Sequence, residues 1–340
     1  MNAWEDLVKL VEAGDVPGTA RLVSALDPAG RQAVAGELPR YLAALDTGLD
    51  GPRRRLGPLL VAGAGCVSGA AGVAAWLFRR EFDGMNGFAG SLLVLLRQRP
   101  LDWQADVARR LARRMRLPLP RHWSVVAGLV RESGVEPPDD DAFKVGWLRG
   151  LGPVMAVRDP FFRAYAPHIF EFDGLGEVLP WQTPNIARLV EGGLLDRDAV
   201  LDGVVGRLLR DGPAALDALA DLHDLLDPDL GETSARAADY VRLLPVSPTR
   251  VAVMALARLR RLEEAGRLAD ESFAEAVAAT AFRLEKKVLA ETMTWADEAA
   301  RRRPGRAGAA LCGLAPIFAH DALALQDRVV RLAVKLAPHA

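Results

Sequence analysis

The residues best suited to metal binding or acid–base catalysis are the histidines, and their spacing forms no recognised site. They are His122, His168, His223, His320 and His339. No two of them have the HExxH spacing that places two metal ligands on one helix face. The densest acid–histidine cluster is Asp221-Leu222-His223-Asp224, but successive residues of a helix point in different directions. We therefore interpret this cluster as a surface helix face, and we predict no metal site, no cofactor and no catalytic residue.

A second acid–histidine cluster lies in the least regular part of the sequence. His168 precedes Glu171 and Asp173 in the stretch 150–184, where prolines and glycines allow only short helices. Because loops carry function more often than packed helices do, a pocket in 150–184 is the enzyme hypothesis for this chain. A helix cap or a tertiary contact explains His168 more simply. The sequence also has no serine-nucleophile motif and no phosphate-binding loop motif.

Two arginine runs could bind an acidic partner or a phosphate backbone. Arg109, Arg110, Arg113 and Arg114 spread over one predicted helix, and Arg301–Arg303 ends another, where positive charge suits the helix dipole. The whole chain has 43 basic and 44 acidic residues and a net charge of −1, whereas dedicated nucleic-acid binders are usually basic. We therefore favour solvated helix faces, and nucleic-acid binding is not the favoured function.

The cysteines and the N-terminal residues indicate a cytoplasmic protein. Cys66 and Cys312 lie far apart in the sequence, and neither belongs to a CxxC or cysteine–histidine cluster. This spacing disfavours a disulfide framework or a structural zinc site. Glu5 and Asp6 stand where a secretory signal peptide carries positive charge. We therefore expect a protein that is not secreted and that works in a reducing compartment.

One apolar run allows two interpretations. No charged residue occurs from Leu56 to Phe78, and this run is long enough for a transmembrane helix. Glycine and alanine dominate it, however, so it is only mildly hydrophobic. Arginines flank it at both ends, which gives no preferred orientation in a membrane. We therefore predict a buried glycine-rich hairpin over 56–79 that breaks near Ser68-Gly69, and we do not favour membrane insertion.

The elements that must position all these residues are helices. Alanine, leucine and arginine are abundant and aromatic residues amount to 6%, a composition that favours helix over sheet. Apolar residues recur at helical spacing, and Gly14, Asp15 and Pro28 lie where helices typically end and begin. At 340 residues the chain must divide into domains or extend as a repeat array. We predict an all-α fold.

The C-terminal part repeats a unit of two helices. The second helices of successive units begin near Val251, Val288 and Val329, about 37 to 41 residues apart. This period is close to that of two-helix HEAT repeats, and the stretches 249–256 and 327–333 resemble HEAT second helices. One pair cannot cover its own apolar face, so neighbouring pairs must stack. The prediction is an α-solenoid of stacked antiparallel helix pairs, HEAT-like in its C-terminal half.

A further resemblance runs through most of the chain. It is carried by Arg54–Leu60, Phe170–Gly176, Leu195–Asp202 and Glu285–Val288. These stretches are similar to the N-terminal region of a large, uncharacterised actinobacterial family of helical-repeat proteins, whose members are usually longer. The resemblance implies a short member or an N-terminal fragment, and it implies no activity. The family's genes often lie near those for SWIM zinc-finger proteins, which suggests a multiprotein assembly.

These features lead to a predicted organisation and a hypothesis of function. We predict an N-terminal helical region over 1–120, an irregular helical connector over 121–182 and HEAT-like repeats over 183–340, within one continuous solenoid. Such arrays chiefly hold proteins or peptides, so we predict a non-enzymatic scaffold with a protein partner. Second helices line the concave side of HEAT-like arrays, and their basic residues are the predicted contacts: Arg250, Lys286, Lys287, Arg328 and Arg331. The alternatives are a HEAT-like nucleic-acid binder and the enzyme with a pocket in 150–184.

Overall fold

The computed structural model describes residues 2–45, 53–152 and 158–340, and every regular element in these ranges is a helix. The predicted all-α fold is therefore confirmed. The helices group into two compact units by their mutual contacts. One unit comprises Met1–Gly150 with Asp159–Ala164, and the other comprises Leu151–Arg158 with Tyr165–Ala340. The division into 1–120, 121–182 and 183–340 stays a prediction.

The first unit begins with short helices whose ends are set by local sequence. The side chains of Asn2, Asp15 and Asp27 accept hydrogen bonds from backbone N–H groups of the helices that follow them. Gly14 ends the first helix in the left-handed conformation, at φ 73°. The helices of this unit are α1 (Ala3–Ala13), α2 (Val16–Ala25), α3 (Pro28–Ala44), α4 (Arg53–Cys66), α5 (Ala70–Leu77), α6 (Ala89–Leu96), α7 (Leu101–Ala112), α8 (Trp123–Ser133) and α9 (Asp141–Arg149). A short helix, α10 (Phe162–Tyr165), follows along the chain.

The glycine-rich run folds as the predicted hairpin. α4 and α5 pack against each other, and the chain turns between them at Gly69, whose φ of 73° suits glycine. The indole of Trp76 on α5 donates to the carbonyl oxygens of Leu59 and Leu60 on α4, at 3.3 Å each. This close approach requires the absence of a side chain at Gly63. In the described part of the chain, no helix combines the length and hydrophobicity needed to cross a bilayer.

The second unit is a stack of helix pairs in two layers. Its helices are α11 (Leu179–Glu191), α12 (Arg197–Arg210), α13 (Pro213–Leu226), α14 (Leu230–Ala235), α15 (Ala237–Leu243), α16 (Thr249–Glu264), α17 (Asp270–Ala281), α18 (Lys286–Arg302), α19 (Ala307–Leu314) and α20 (Leu323–Leu336). The first helices α12, α15, α17 and α19 each contact the next, and so do the second helices α13, α16, α18 and α20. The last three second helices begin at Thr249, Lys286 and Leu323, each 37 residues after the one before. The predicted stack of antiparallel pairs is confirmed.

Buried arginines connect successive pairs in this unit. Arginines about one repeat later donate to backbone carbonyl groups at the end of a helix and in the turns that follow helices. Arg283 donates to the carbonyl oxygens of Leu244 and Ser247, at 2.5 and 2.7 Å. Arg306 donates to that of Leu268 at 2.7 Å. Because these guanidinium groups lie inside the stack, much of the positive charge of the unit stabilises the fold.

Candidate functional site

The five predicted contact residues differ in whether they already form hydrogen bonds or ion pairs within the chain. Arg250 donates to the carboxylates of Asp221 and Asp224 on α13. Arg328 donates to the hydroxyl of Thr294 on α18 at 2.7 Å. The other three, Lys286, Lys287 and Arg331, are exposed and have no hydrogen bond or ion pair to any described residue. Their role as partner contacts stays a prediction.

The layer of second helices is crossed by ion pairs between neighbouring repeats. Arg258 on α16 lies 2.7 Å from Asp227 at the end of α13. Arg260 lies 2.5 Å from Glu298 on α18, and the ammonium group of Lys335 on α20 lies 2.7 Å from Asp297. Acidic and basic groups therefore alternate along this layer. A nucleic-acid groove needs basic groups free to bind phosphates, and this arrangement does not favour one.

A row of exposed apolar side chains follows the turns that join first helices to second helices. We call this row the turn edge; its members, with exposed fractions, are Val246 (86%), Phe282 (78%), Leu284 (82%), Phe318 (45%) and Leu323 (73%). Val246, Phe282 and Phe318 are each 36 residues apart, so they occupy equivalent turns of successive pairs. Single exposed apolar residues need no explanation, but these recur at the same turn of three successive helix pairs.

The turns that carry the turn edge lie next to one another and are fixed by contacts with neighbouring turns and helices. Arg283 bonds the Ser247 carbonyl, and the hydroxyl of Thr249 lies 3.4 Å from Glu285, which ties the second turn to the first. The segment 315–319 of the third turn contacts α17, the helix that ends just before Phe282. Buried neighbours such as Ile317 anchor the same turns in the core. The apolar side chains are therefore presented on backbone that is fixed before any partner binds.

The charge beside the turn edge is positive. The Glu285 carboxylate is paired with Arg283 at 2.5 Å, and this hydrogen bond lowers the pKa of Glu285. Lys286 and Lys287 follow directly and are exposed without an acidic partner in the described chain. The second turn therefore offers two apolar side chains and two unpaired ammonium groups within six residues.

The cluster at Asp221–Asp224 corrects the sequence interpretation. His223 is completely buried rather than on a surface face, and its Nε2 lies 2.7 Å from the hydroxyl of Tyr240. The acids on either side remain at the surface and pair with Arg250 and Arg258. The prediction of a surface face was wrong for the histidine because α13 is covered by α12, α11 and α16 on its inner side. No group of metal-ligating side chains occurs among the described residues.

The buried histidine should make the protein sensitive to mild acid. Burial, and then the nearby Arg258 and Arg236, lower the pKa of His223 from 6.5 to about 4, while Asp227 opposes the shift. The unfolded chain therefore binds more protons than the folded chain between pH 6.5 and pH 4, and stability falls as the pH falls through that window. We expect a loss of about 2 kcal/mol between pH 7 and pH 5.

The measurement is urea unfolding at a series of pH values for wild type and His223→Gln. The glutamine cannot titrate, so the second unit of this variant, followed by hydrogen exchange of its peptides, should lose much less stability between pH 7 and pH 5 than that of wild type. His339→Gln, at an exposed position, is the matched control and should keep the wild-type pH dependence. An equal acid sensitivity of all three proteins would exclude His223 as the source.

His168 and Glu171 do not form an enclosed site. Nδ1 of His168 lies 3.0 Å from the Glu171 carboxylate, and the two side chains are 57% and 70% exposed. Acid–base catalysis by His168 and Glu171 would require a pocket that excludes water. The pair is a local contact between residues three apart, and neither the helix cap nor the tertiary contact suggested by the sequence is what it forms. Residues 153–157 of the stretch 150–184 lie outside the described residues.

A pocket that the sequence did not predict lies in the first unit. It has a volume of about 340 Å³ and is lined by Asn86, Ala89, Leu119, Pro120, His122, Trp123, Ser124, Gly146, Arg149 and Gly150. These residues come from three segments far apart in sequence, so no local motif could have indicated the pocket. The turn edge was also missed, although its 36-residue spacing of apolar residues beside proline and charged residues could have revealed it.

Comparison of the chain with models of protein families, with curated proteins and with solved structures finds no significant match. The resemblance to the actinobacterial family therefore stays a prediction.

Proposed function

We propose that this protein is a non-enzymatic interaction scaffold that binds another protein along the turn edge. The observation that carries the proposal is the row of exposed apolar side chains at equivalent turns of three successive helix pairs. Helical repeats commonly bind proteins through surfaces that extend over several repeats. Removing such side chains from water on binding supplies the main favourable free energy of association.

The proposed partner is a protein segment with apolar side chains and nearby acidic residues. Phe282 and Leu284 would bind the apolar side chains, and aromatic residues are common among those that dominate binding energy. Lys286 and Lys287, which form no ion pair with a described residue, would pair with the acidic residues and favour their approach. Arg331, a third exposed basic residue, lies further along the second-helix layer and would extend the contact.

A membrane surface is the less favoured occupant of the same edge. Attraction to anionic lipid usually involves a cluster of roughly four to eight basic residues. The second turn supplies two free lysines, and the third turn adds the exposed Asp321. Nucleic acid is not favoured either, since most basic groups of the second-helix layer are paired. We place the protein in the cytoplasm, in keeping with its two free cysteines.

The test uses a photo-crosslinking amino acid at position 282 in the native cell. We expect cross-links to a defined protein, in peptides that contain acidic and apolar residues. With that protein purified, Phe282→Ser combined with Leu284→Ser should weaken binding at least tenfold, by about 1.4 kcal/mol or more. Charge reversal at Lys286 and Lys287 should weaken it less and should reduce its dependence on salt.

The matched control is Leu225, which is 56% exposed on α13 but lies outside the turn edge. Leu225→Ser should leave affinity unchanged, and all these variants should keep the wild-type unfolding midpoint because the side chains are exposed. Equal binding by the Phe282 and Leu225 variants would contradict the proposal. Cross-links that go mainly to lipid or nucleic acid would replace it with one of the alternatives.

A further inference from the structure

The second helices α16, α18 and α20 can be compared position by position, because each begins 37 residues after the one before. One face is buried in all three helices; in α20 it consists of Leu325, Val329, Leu332 and Leu336. A second face is fully buried only in α16 and α18. In α18 that face consists of Leu289, Met293, Ala296 and Ala300, each no more than 4% exposed. Its counterpart on α20 is exposed or half-buried.

In the inner pairs this second face packs on the helix pair that follows. Glu263 belongs to it in α16, is 4% exposed, and accepts hydrogen bonds from Arg302 on α18 and from Arg306 just before α19. Position 260, on the rim of the same face, also reaches forward, because Arg260 lies 2.5 Å from Glu298 on α18. The second face is therefore the surface through which one pair of the stack contacts the next.

On α20 the same positions form an open surface, which we call the end face. Its members are Gln326, Val330, Ala333, Val334 and Ala337. Val330 is 46% exposed and Val334 is 72% exposed, whereas Met293, the counterpart of Val330 one repeat earlier, is 1% exposed. No member of the end face is charged, although Arg260 and Glu263 occupy two of these positions in α16. Terminal repeats of soluble arrays need a polar outer face, so this apolar one indicates that a further surface covers it.

Two observations favour the end face of a second copy as that surface. The end face continues the contact surface of the inner pairs, so its occupant should present small and apolar side chains on a helix, as a second α20 does. The charges beside it are also self-complementary. Asp327 and Arg331, one helical turn apart, are exposed and form no ion pair with a described residue. When two copies of α20 meet in opposite directions near Val330, the Asp327 of each lies near the Arg331 of the other.

We propose that the protein forms a two-fold symmetric dimer in which the end faces of two copies pack against each other. The same patch of each copy then serves as both sides of the contact, as in most symmetric dimers. Removing Val330 and Val334 from water supplies the favourable free energy. The dimer goes beyond the proposed binding at the turn edge and does not depend on it, because Phe282 and Leu284 lie outside the end face. Each dimer would present two turn edges.

The test is the mass of the protein in solution, measured by sedimentation equilibrium over a range of concentrations. We expect the mass of two chains at about 100 μM. Val330→Glu should raise the dissociation constant of the dimer at least about tenfold, because it places two like charges close together in an apolar contact. Since Val330 is half exposed in a single chain, this variant should keep the wild-type helix content. The matched control is Val246→Glu, at an 86% exposed residue of the turn edge, which should dimerise as wild type does.

Chemical cross-linking tests where the two copies meet. Cys312→Ser removes the exposed native thiol, and Cys66 is buried. In that background a short bis-maleimide should join two Val330→Cys chains at least about tenfold faster than two Val246→Cys chains, because only the former thiols are held close together.

Three results would overturn the dimer. The first is a monomer throughout the concentration range, and the second is equal weakening of association by Val330→Glu and Val246→Glu. The third is growth beyond two chains, because a two-fold contact closes on itself. None of these results depends on cross-links at position 282, so the dimer and the binding at the turn edge can fail separately.

Discussion

Replacement of Arg306 by methionine is expected to lower the free energy of unfolding of the second unit by about 3 to 5 kcal/mol. Only 2% of Arg306 is exposed, and its guanidinium donates to Glu263 at 2.9 Å and to the Leu268 carbonyl at 2.7 Å. It also bonds the Asp270 carboxylate at 2.7 Å. Methionine has a similar length but no charge. It would leave Glu263, itself 4% exposed, with Arg302 as its remaining basic neighbour.

The large expected effect depends on Glu263, the buried acidic partner that remains when Arg306 is replaced. Removing one member of a buried ion pair leaves the charge of the other less well compensated, whereas removing both can be nearly neutral. Arg306→Met combined with Glu263→Gln should therefore be less destabilised than the sum of the two single variants. The matched control is Arg303→Met, because Arg303 also bonds Asp270 but its side chain is 49% exposed. An exposed pair contributes about 0 to 1 kcal/mol, so this control should change stability little.

The measurement must separate the two units, because each can unfold on its own. Hydrogen exchange of peptides from α17 to α19, measured at increasing urea, reports the second unit directly. Loss of protection in these peptides at much lower urea in Arg306→Met than in Arg303→Met is the expected result. Equal shifts in the two variants would mean that burial of the guanidinium contributes little.

The helices themselves could be predicted from the sequence to within a few residues. The second helices predicted to begin near Val251 and Val288 begin at Thr249 and Lys286, whereas the one predicted near Val329 begins six residues earlier, at Leu323. Thr183-Pro184 has the pattern of a helix start, because proline suits the first turn of a helix, yet this helix begins at Leu179 with Pro180 in its first turn. Both prolines occupy helical positions, and local sequence does not distinguish which of them starts the helix.

The partners of the charged residues could not be predicted. The run Arg301–Arg303 was interpreted as a solvated helix end, yet Arg302 pairs with the buried Glu263. Arg306 and Glu263 lie 43 residues apart, so they meet only when one helix pair stacks on the next. The unpaired basic residues of the candidate site could not be predicted for the same reason. Sequence periodicity placed Lys286 and Lys287 on a second helix, but only stacking decides which basic residues remain unpaired.

The glycine-rich hairpin offers a second large effect. Gly63→Ala is expected to lower the free energy of unfolding by about 3 kcal/mol. A Cβ at Gly63 would lie 2.0 Å from the indole nitrogen of Trp76, much closer than any real Cβ contact. The indole cannot retreat without losing its hydrogen bonds to the carbonyls of Leu59 and Leu60. The added methyl group should therefore separate α4 from α5 or move the tryptophan out of its site.

Gly36→Ala provides the matched control for that change. Gly36 lies inside α3, is exposed, and would have no atom within 4 Å of an added Cβ. The same substitution there should stabilise the protein by about 0.5 to 1 kcal/mol, because alanine favours helix more than glycine does. Both variants are compared with wild type by urea unfolding followed by circular dichroism. Since both glycines are helical, a difference in sign between them isolates the cost of helix–helix contact from that of helix propensity. A stabilising Gly63→Ala would mean that α4 and α5 are not in close contact at this position.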